Sequence, residues 1–348
     1  MRRRLVLYDG KGNISVEERE IQKVKEYEVL VKVYSSLISP GTEIGMIKRL
    51  RENPSDRIGK RSFGYGNSGI VISCGKKCKY LKEGMRVACM GTGYALHTDY
   101  AIVPENLCVQ IPENVSYEEG SFAHLAATSL HAIRRATLEF GEYVLIAGLG
   151  IIGNTAGQLS LLSGCHTIGI DLYKLRRKIA ERVGFERVIG PEENFEEECK
   201  KFSSGYGIDT SFICFGGDAT DMFEKIIKVM KTAPDTHKMG KIVIPGGCSI
   251  KISFGATVGN IDIRSSARTG PGYHDPEYEK GKDYPKVFIR WPTRKNLEEV
   301  IKLISERKLR VKELITHRFP IEEAPEAVEI LISNPDKCLG VILKPWER

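Results

Sequence analysis

From residue 1 to about 120 the apolar positions fall in short stretches, such as Tyr27–Val33 and Gly69–Ser73, that alternate with polar residues. Glycine, proline and charged turns separate them, the pattern of a β-rich region. From Phe122 the spacing lengthens: Leu125, Leu130, His131 and Ile133 predict a helix that runs through Arg134–Ala136. Tyr143–Ala147 is then a continuous apolar run of the kind a strand buried on both faces requires. A glycine-rich turn follows, and Asn154–Ser163 returns to helical intervals. The alternation continues with strand Cys165–Ile170, helix Leu175–Val183, strand Asp209–Phe215, helix Ala219–Lys231 and strands Gly240–Pro245 and Ile261–Ser265. Such an order predicts an α/β fold with a doubly wound parallel sheet. Ala267–Pro292 holds too many aromatic residues and prolines for a helix and reads as a long ordered loop. Helix Leu297–Leu309, extended Ile315–Phe319, helix Ala324–Ser333 and strand Cys338–Lys344 close the chain. We therefore expect two domains: residues 1–125 completed by 270–348, and a dinucleotide-binding domain at 126–269.

The glycine turn supplies the first chemistry. Gly148-Leu149-Gly150-Ile151-Ile152-Gly153 has the spacing G-x-G-x-x-G between a strand and a helix. Gly148 permits the tight turn, Gly150 lets backbone approach a pyrophosphate, and Gly153 packs the helix on the strand. The amides of Ile151 and Ile152 then face the anion. Asp171 ends the next strand, where a carboxylate accepts hydrogen bonds from ribose hydroxyls and repels a 2′-phosphate. NAD is expected rather than NADP. Arg176, with Lys174 and Arg177 beside it, is a further cofactor contact and the residue type that could instead meet a phosphate. Phe215 and Gly246 lie after two later strands, at the carboxyl edge where such sheets bind ligands.

Composition narrows the partners. The chain has 348 residues, enough for two cores, with 41% hydrophobic and 28% charged residues and a net charge of +7 spread along its length. No concentrated basic patch with interleaved aromatics is present, so nucleic-acid binding is not expected. Met1–Arg4 and Lys286–Lys295 read as solvated surface. Leu5–Tyr8 is too short for the apolar core of a signal peptide, and no segment approaches a membrane span. Nine scattered cysteines indicate reduced thiols, hence a cytoplasmic protein.

The chain resembles the medium-chain dehydrogenase/reductase superfamily over nearly its whole length. The resemblance rests on Glu28-Val29-Leu30-Val31-Lys32-Val33, Gly41-Thr42-Glu43, Gly64, Gly69, Gly84-Met85-Arg86-Val87, the glycine turn and Ile315-Thr316-His317-Arg318-Phe319-Pro320. It implies a GroES-like β-rich catalytic domain beside a Rossmann domain. Ser39-Pro40-Gly41-Thr42-Glu43, Tyr65-Gly66, Gly93–Tyr100, Gly270–Pro276, Asp283-Tyr284-Pro285 and Arg290-Trp291 are most similar to a zinc-lacking branch. That branch includes the dehydrogenase half of bidomain oxidoreductases.

Zinc-dependent relatives ligate their metal from three positions that here carry Ser39, Tyr65 with Gly66, and His124. Serine and neutral tyrosine are poor zinc ligands, and one imidazole does not make a site. Cys74, Cys78, Cys89 and Cys108 lack the spacing of a structural zinc lobe. No zinc is expected. Without it, side chains must supply the proton transfer and hydrogen bonds. Position points to Tyr65 as donor, its pKa lowered by neighbours, and to His124 as a base titrating near working pH. Thr42 and Glu43 lie on the adjacent loop, and His97 lies in the segment that replaces the zinc lobe. In the 270–291 loop, Tyr273, His274 and Arg290 are the candidate substrate contacts, with Asp275, Tyr278, Asp283, Tyr284 and Trp291 beside them.

These readings together predict a zinc-independent, NAD-linked dehydrogenase of a secondary alcohol on a sugar, cyclitol or related polyol. The resemblance implies a homodimer or tetramer joined near Val258–Ser265. Two other readings remain: an NADPH-dependent quinone or enone reductase, and a cofactor-binding protein without catalysis.

Overall fold

The computed structural model describes residues 1–347. The chain divides into one unit of Met1–Ala127 with Thr269–Arg348 and a second of Thr128–Arg268. In chain order the strands are β1 (Arg2–Tyr8), β2 (Ile14–Glu20), β3 (Glu28–Ile38), β4 (Arg61–Ser62), β5 (Gly66–Cys74), β6 (Arg86–Met90), β7 (Tyr100–Pro104) and β8 (Cys108–Gln110). The second unit contributes β9 (Tyr143–Ala147), β10 (His166–Ile170), β11 (Arg187–Ile189), β12 (Thr210–Ile213), β13 (Met239–Pro245) and β14 (Asn260–Ser266). β15 (Ile315–Pro320) and β16 (Gly340–Lys344) return to the first unit.

In the first unit the main sheet runs β15-β16-β3-β5-β6-β8, with β7 also paired to β3, and β2-β1-β4 form a smaller sheet. β3 is its spine. Its first half alternates buried and half-buried residues, as a strand with one solvated face does, whereas Ser35, Ser36, Leu37 and Ile38 are all buried. β5 and β16 flank this end of β3 through Ser36↔Asn67 and Leu343↔Ser36. The C-terminal segment is fastened by Trp346, whose indole N–H donates to the Val33 carbonyl at 2.7 Å while the Lys32 ammonium sits 4.4 Å from its ring.

Three arginines of the charged stretches expected at the surface, Arg3, Arg4 and Arg294, are half-buried instead. Arg3 and Arg4 lie in β1, a strand that the run of arginines disguises. Arg4 pairs with Asp99 at 3.1 Å, and Arg3 donates to the Tyr100 carbonyl at 3.2 Å. Arg294 lies over the Tyr80 ring at 3.7 Å and faces Asp283 at 3.6 Å. In each case the head group of a half-buried arginine finds a partner.

The second unit is a parallel sheet in the order β11-β10-β9-β12-β13-β14. The order reverses between β9 and β12, and the carboxyl ends of strands at such a point form the ligand crevice of doubly wound folds. Short β11 and helix Phe195–Phe202 were not foreseen, because each carries only two or three apolar residues among charges. Edge strand β14 keeps most of its side chains exposed or half-buried. Among the described residues, no helix is long and apolar enough to cross a membrane.

Candidate active site

In the second unit the glycine turn has the geometry its spacing predicts. Gly148 adopts φ +91°, a conformation that L side chains resist. A Cβ at Gly153 would lie 1.8 Å from the Gly148 carbonyl oxygen, so helix and turn approach to a distance only glycine allows. At Gly150 a Cβ would meet nothing within 4 Å. That open space lies at the N-terminus of helix Ile151–Leu162, where unpaired amides and the helix dipole favour an anion. The residues therefore fit a dinucleotide pyrophosphate. Phe215 packs against the turn, 3.1 Å from the Cβ position of Gly148, and Gly246 takes φ +95° after β13.

Asp171 closes this turn. Its Oδ2 accepts from the Leu149 N–H at 2.7 Å and its Oδ1 from the Tyr173 N–H at 2.8 Å. A carboxylate has lone pairs left after two such bonds, which ribose hydroxyls can use. Arg176 lies 3.8 Å from Oδ2 and stacks on Tyr173 at 4.7 Å.

In the first unit, Tyr65 is the centre of a polar cluster. The side chains of Ser39 and Thr42 lie beside its hydroxyl and favour its phenolate. Both belong to the turn around Pro40–Ile44, which opens on the Ser39 carbonyl accepting from Glu43 N–H at 3.0 Å. Glu43 folds back, and its Oε2 accepts from Ser39 N–H at 2.6 Å. Thr42 is exposed and Tyr65 half-buried as a residue, whereas Ser39 and Glu43 are buried. Burial and the Glu43 charge push the Tyr65 phenol well above its ordinary value. This reverses the lowering expected from sequence. Tyr65 rests as O–H, a donor.

His124 is placed as predicted but behaves differently. Its ring packs edge-on to Tyr65, 4.8 Å between centroids. Its Nδ1–H donates to the Ser121 carbonyl at 3.0 Å. Only 1% of it is exposed, and burial pulls its pKa down to about 3. His124 is therefore neutral at working pH and does not serve as the base expected there. Gly66 is its seat: a Cβ at Gly66 would fall 2.1 Å from His124 Cε1. That requirement was invisible in the sequence, since it arises between a strand and a helix.

His97 is fully buried behind this cluster, so it touches no solvent-borne substrate. Its Nε2 lies 3.3 Å from Glu43 Oε1 and its Nδ1 2.9 Å from Ser36 Oγ. Sequence reasoning missed Ser36 and gave Ser39 only as a lost ligand. Hydroxyls inside an apolar run such as Val33–Ile38 were the available signal.

The 270–291 loop separates into an inner and an outer part. Tyr273 reaches the cluster: the Gly91 N–H donates to the Tyr65 carbonyl at 2.9 Å, and Tyr273 Cε2 lies 3.6 Å from the Cβ position of Gly91. The Tyr273 hydroxyl donates to Thr92 Oγ1 at 2.9 Å and accepts from Thr92 N–H at 2.8 Å. His274 stacks on Tyr273 at 3.9 Å, held at φ +68°. Arg290 is exposed and stacks on Trp291 at 4.7 Å. The other polar residues of the loop are largely engaged with each other. Tyr284 donates to Asp275, Asp275 caps helix Pro276–Glu279, Tyr278 stacks on Tyr284, and Tyr80 donates to Asp283. Their polarity is therefore mostly structural.

Residues 152–280 match the model of the zinc-binding dehydrogenase family. Sorbitol dehydrogenase of Bos taurus is 26% identical over 357 residues, covering 92% of this chain and 90% of that protein. Among solved structures, an oxidoreductase/dehydrogenase of unknown specificity from Escherichia coli superposes with a TM-score of 0.81 at 21% identity, over 99% of both chains. Galactitol-1-phosphate dehydrogenase from Escherichia coli gives 0.77 at 20% identity, over 98% of this chain and 100% of that one. The glycine turn, the reversed strand order and these similarities together support a place among the oxidoreductases of the medium-chain dehydrogenase/reductase superfamily.

Proposed function

We propose that this oxidoreductase is a zinc-independent, NAD-linked dehydrogenase that interconverts a secondary alcohol and a ketone on a sugar, cyclitol or related polyol. The observation that carries the reading is a tyrosine O–H beside Ser39 and Thr42, Tyr65 and Ser39 standing at positions where zinc-dependent relatives keep metal ligands. Those positions suit a metal poorly. Among the described residues, no three His, Cys, Asp or Glu side chains converge on a common point.

A bound nicotinamide dinucleotide would accept or supply the hydride. Gly148, Gly150, Gly153 and the amides of Ile151 and Ile152 would hold its pyrophosphate, and Asp171 its ribose. In the reducing direction Tyr65 donates its proton to the carbonyl oxygen as the hydride arrives at carbon, and Ser39 and Thr42 hydrogen-bond the phenolate that remains. In the oxidising direction the same phenolate takes the hydroxyl proton. Glu43 disfavours that phenolate and so makes the phenol a poor acid by itself. The proton moves only as charge builds on the substrate oxygen. His124 stays neutral and fixes the ring of Tyr65. Tyr273 and His274 contact the substrate hydroxyls, with Arg290 farther out on the loop. The sorbitol and galactitol-1-phosphate dehydrogenases among the similar proteins support the polyol class.

We also infer a homodimer or tetramer, for which the exposed edge of β14 offers unpaired backbone groups. A reducing, cytoplasmic setting agrees with nine free thiols. The test is reduction of NAD by metal-free protein across sugars, sugar phosphates and cyclitols, with chelator in parallel. Chelator-resistant turnover is expected. Silence on the panel with NADPH-driven reduction of quinones or enones would replace this reading with a quinone reductase.

A further inference from the structure

The Tyr65 turn is supported from beneath by residues to which the reaction itself assigns no task. Ser36 lies in β3, with neighbouring strands on both sides, and is fully buried. A hydroxyl there costs stability unless it is hydrogen-bonded, and its partner is His97 Nδ1 at 2.9 Å. The His97 backbone is fixed from several directions. Its N–H donates to the Phe63 carbonyl at 2.9 Å, and its carbonyl accepts from Val6 N–H at 3.0 Å. Asn67 Nδ2 donates to the preceding carbonyl, that of Leu96, at 2.8 Å. Gly64, at φ +113°, passes so close that a Cβ would lie 2.2 Å from His97 N. The Phe63 ring meets the imidazole edge-on at 5.2 Å. The remaining freedom of the side chain is which ring nitrogen carries hydrogen, and which way the ring is turned.

Two groups decide that. Nε2 faces Glu43 Oε1 at 3.3 Å, and Nδ1 faces Ser36 Oγ. A carboxylate accepts and cannot donate, so hydrogen belongs on Nε2, leaving Nδ1 as acceptor for the serine hydroxyl. The other Glu43 oxygen accepts from Ser39 N–H at 2.6 Å, and Ser39 is one of the two hydroxyl residues beside the Tyr65 phenol. These contacts line up from the sheet to the phenol, the Nε2–Glu43 contact standing at ion-pair distance without a formed hydrogen bond.

We propose that Ser36 is a positioning residue: its hydroxyl donates to His97 Nδ1, sets the Nε2–H of that ring on Glu43, and so holds the Pro40–Ile44 turn that carries Ser39 and Thr42 against Tyr65. The inference rests on the reading of Tyr65 as proton donor. Ser36 touches no substrate and moves no proton. Its contribution is to the geometry of the donor, and it is felt when the proton transfers rather than when the substrate binds.

The test has two independent arms on the full-length protein. In the first, ¹⁵N spectra of histidine-labelled protein, with the His97 signals assigned from a His97→Gln variant, read the ring directly. The wild type should show Nε2–H with Nδ1 as acceptor, and Ser36→Ala should shift the Nδ1 resonance. An Nδ1–H ring in the wild type, or no change in Ser36→Ala, overturns the proposal. In the second arm, Ser36→Ala should lower kcat about tenfold, the equivalent of one buried hydrogen bond, at nearly unchanged KM. Ser36→Thr, which keeps the hydroxyl, should restore most of it. A loss that threonine does not restore, or one confined to KM, also overturns it. If no polyol turns over at all, the function proposed above fails, while the first arm still decides the role of Ser36.

Discussion

The two candidate sites of this molecule are built in opposite ways. The dinucleotide turn in the second unit is made from one contiguous stretch, with β9, three glycines, a helix and the Asp171 that follows β10. The Tyr65 cluster in the first unit gathers Ser36 to Glu43, Gly64 to Gly66, His97, Ser121 with His124, and Tyr273. A local site is constrained by its own backbone geometry. An assembled one is constrained by packing between elements, and its electrostatics follow from that burial.

The largest test of the contrast is Tyr65→Phe. Removing the only donor assigned to the substrate oxygen should lower kcat by about a hundredfold or more, with dinucleotide affinity unchanged by fluorescence titration. A normal kcat would break the assignment of chemistry to the assembled site.

Next come glycine substitutions, one in each site. Gly66→Ala places a methyl 2.1 Å from the His124 ring, and Gly153→Ala one 1.8 Å from the Gly148 carbonyl. Each should cost about 2–3 kcal/mol, the range of overpacked cores, seen as a lower Tm. The first should disturb kcat and the second dinucleotide binding.

Gly150→Ala sharpens the difference. Its methyl meets no protein atom within 4 Å, so Tm should hold. Dinucleotide affinity should fall about tenfold, roughly 1.4 kcal/mol, because the methyl enters space meant for the pyrophosphate. Equal affinity would mean that the anion lies elsewhere.

The smallest effect is a pH dependence from His124. Its pKa is about 3 in the folded protein and near 6.5 when unfolded, so the unfolded chain binds the extra proton. Its contribution to stability is complete above pH 6.5 and is lost as pH falls from there toward 3. The slope is at most about 1.4 kcal/mol per pH unit. Urea melts of wild type and His124→Gln should converge over that range. The kcat profile should show no inflection from this ring near neutral pH.

Much of the fold was legible because periodicity reports burial directly. Tyr143–Ala147 and Ala324–Ser333 appear in the structure with the limits that their apolar spacing predicts. β1 was hidden because arginines 2–4 look like surface, although Arg3 and Arg4 find partners across the sheet. The polar 270–291 loop suggested a ligand, but most of its hydroxyl and carboxylate groups satisfy one another.

The family resemblance supplied Tyr65 and His124; by itself the sequence determined the two-part architecture and the glycine turn with its acidic partner. Those depend on local spacing and on residue type. Only the tertiary structure decided what the residues do. Burial raised the phenol of Tyr65 and silenced His124, close approach made Gly66 indispensable, and His97 was placed on Glu43 behind the turn. Charge and hydrogen-bond state depend on which distant segments exclude water from a group, and no local pattern encodes that.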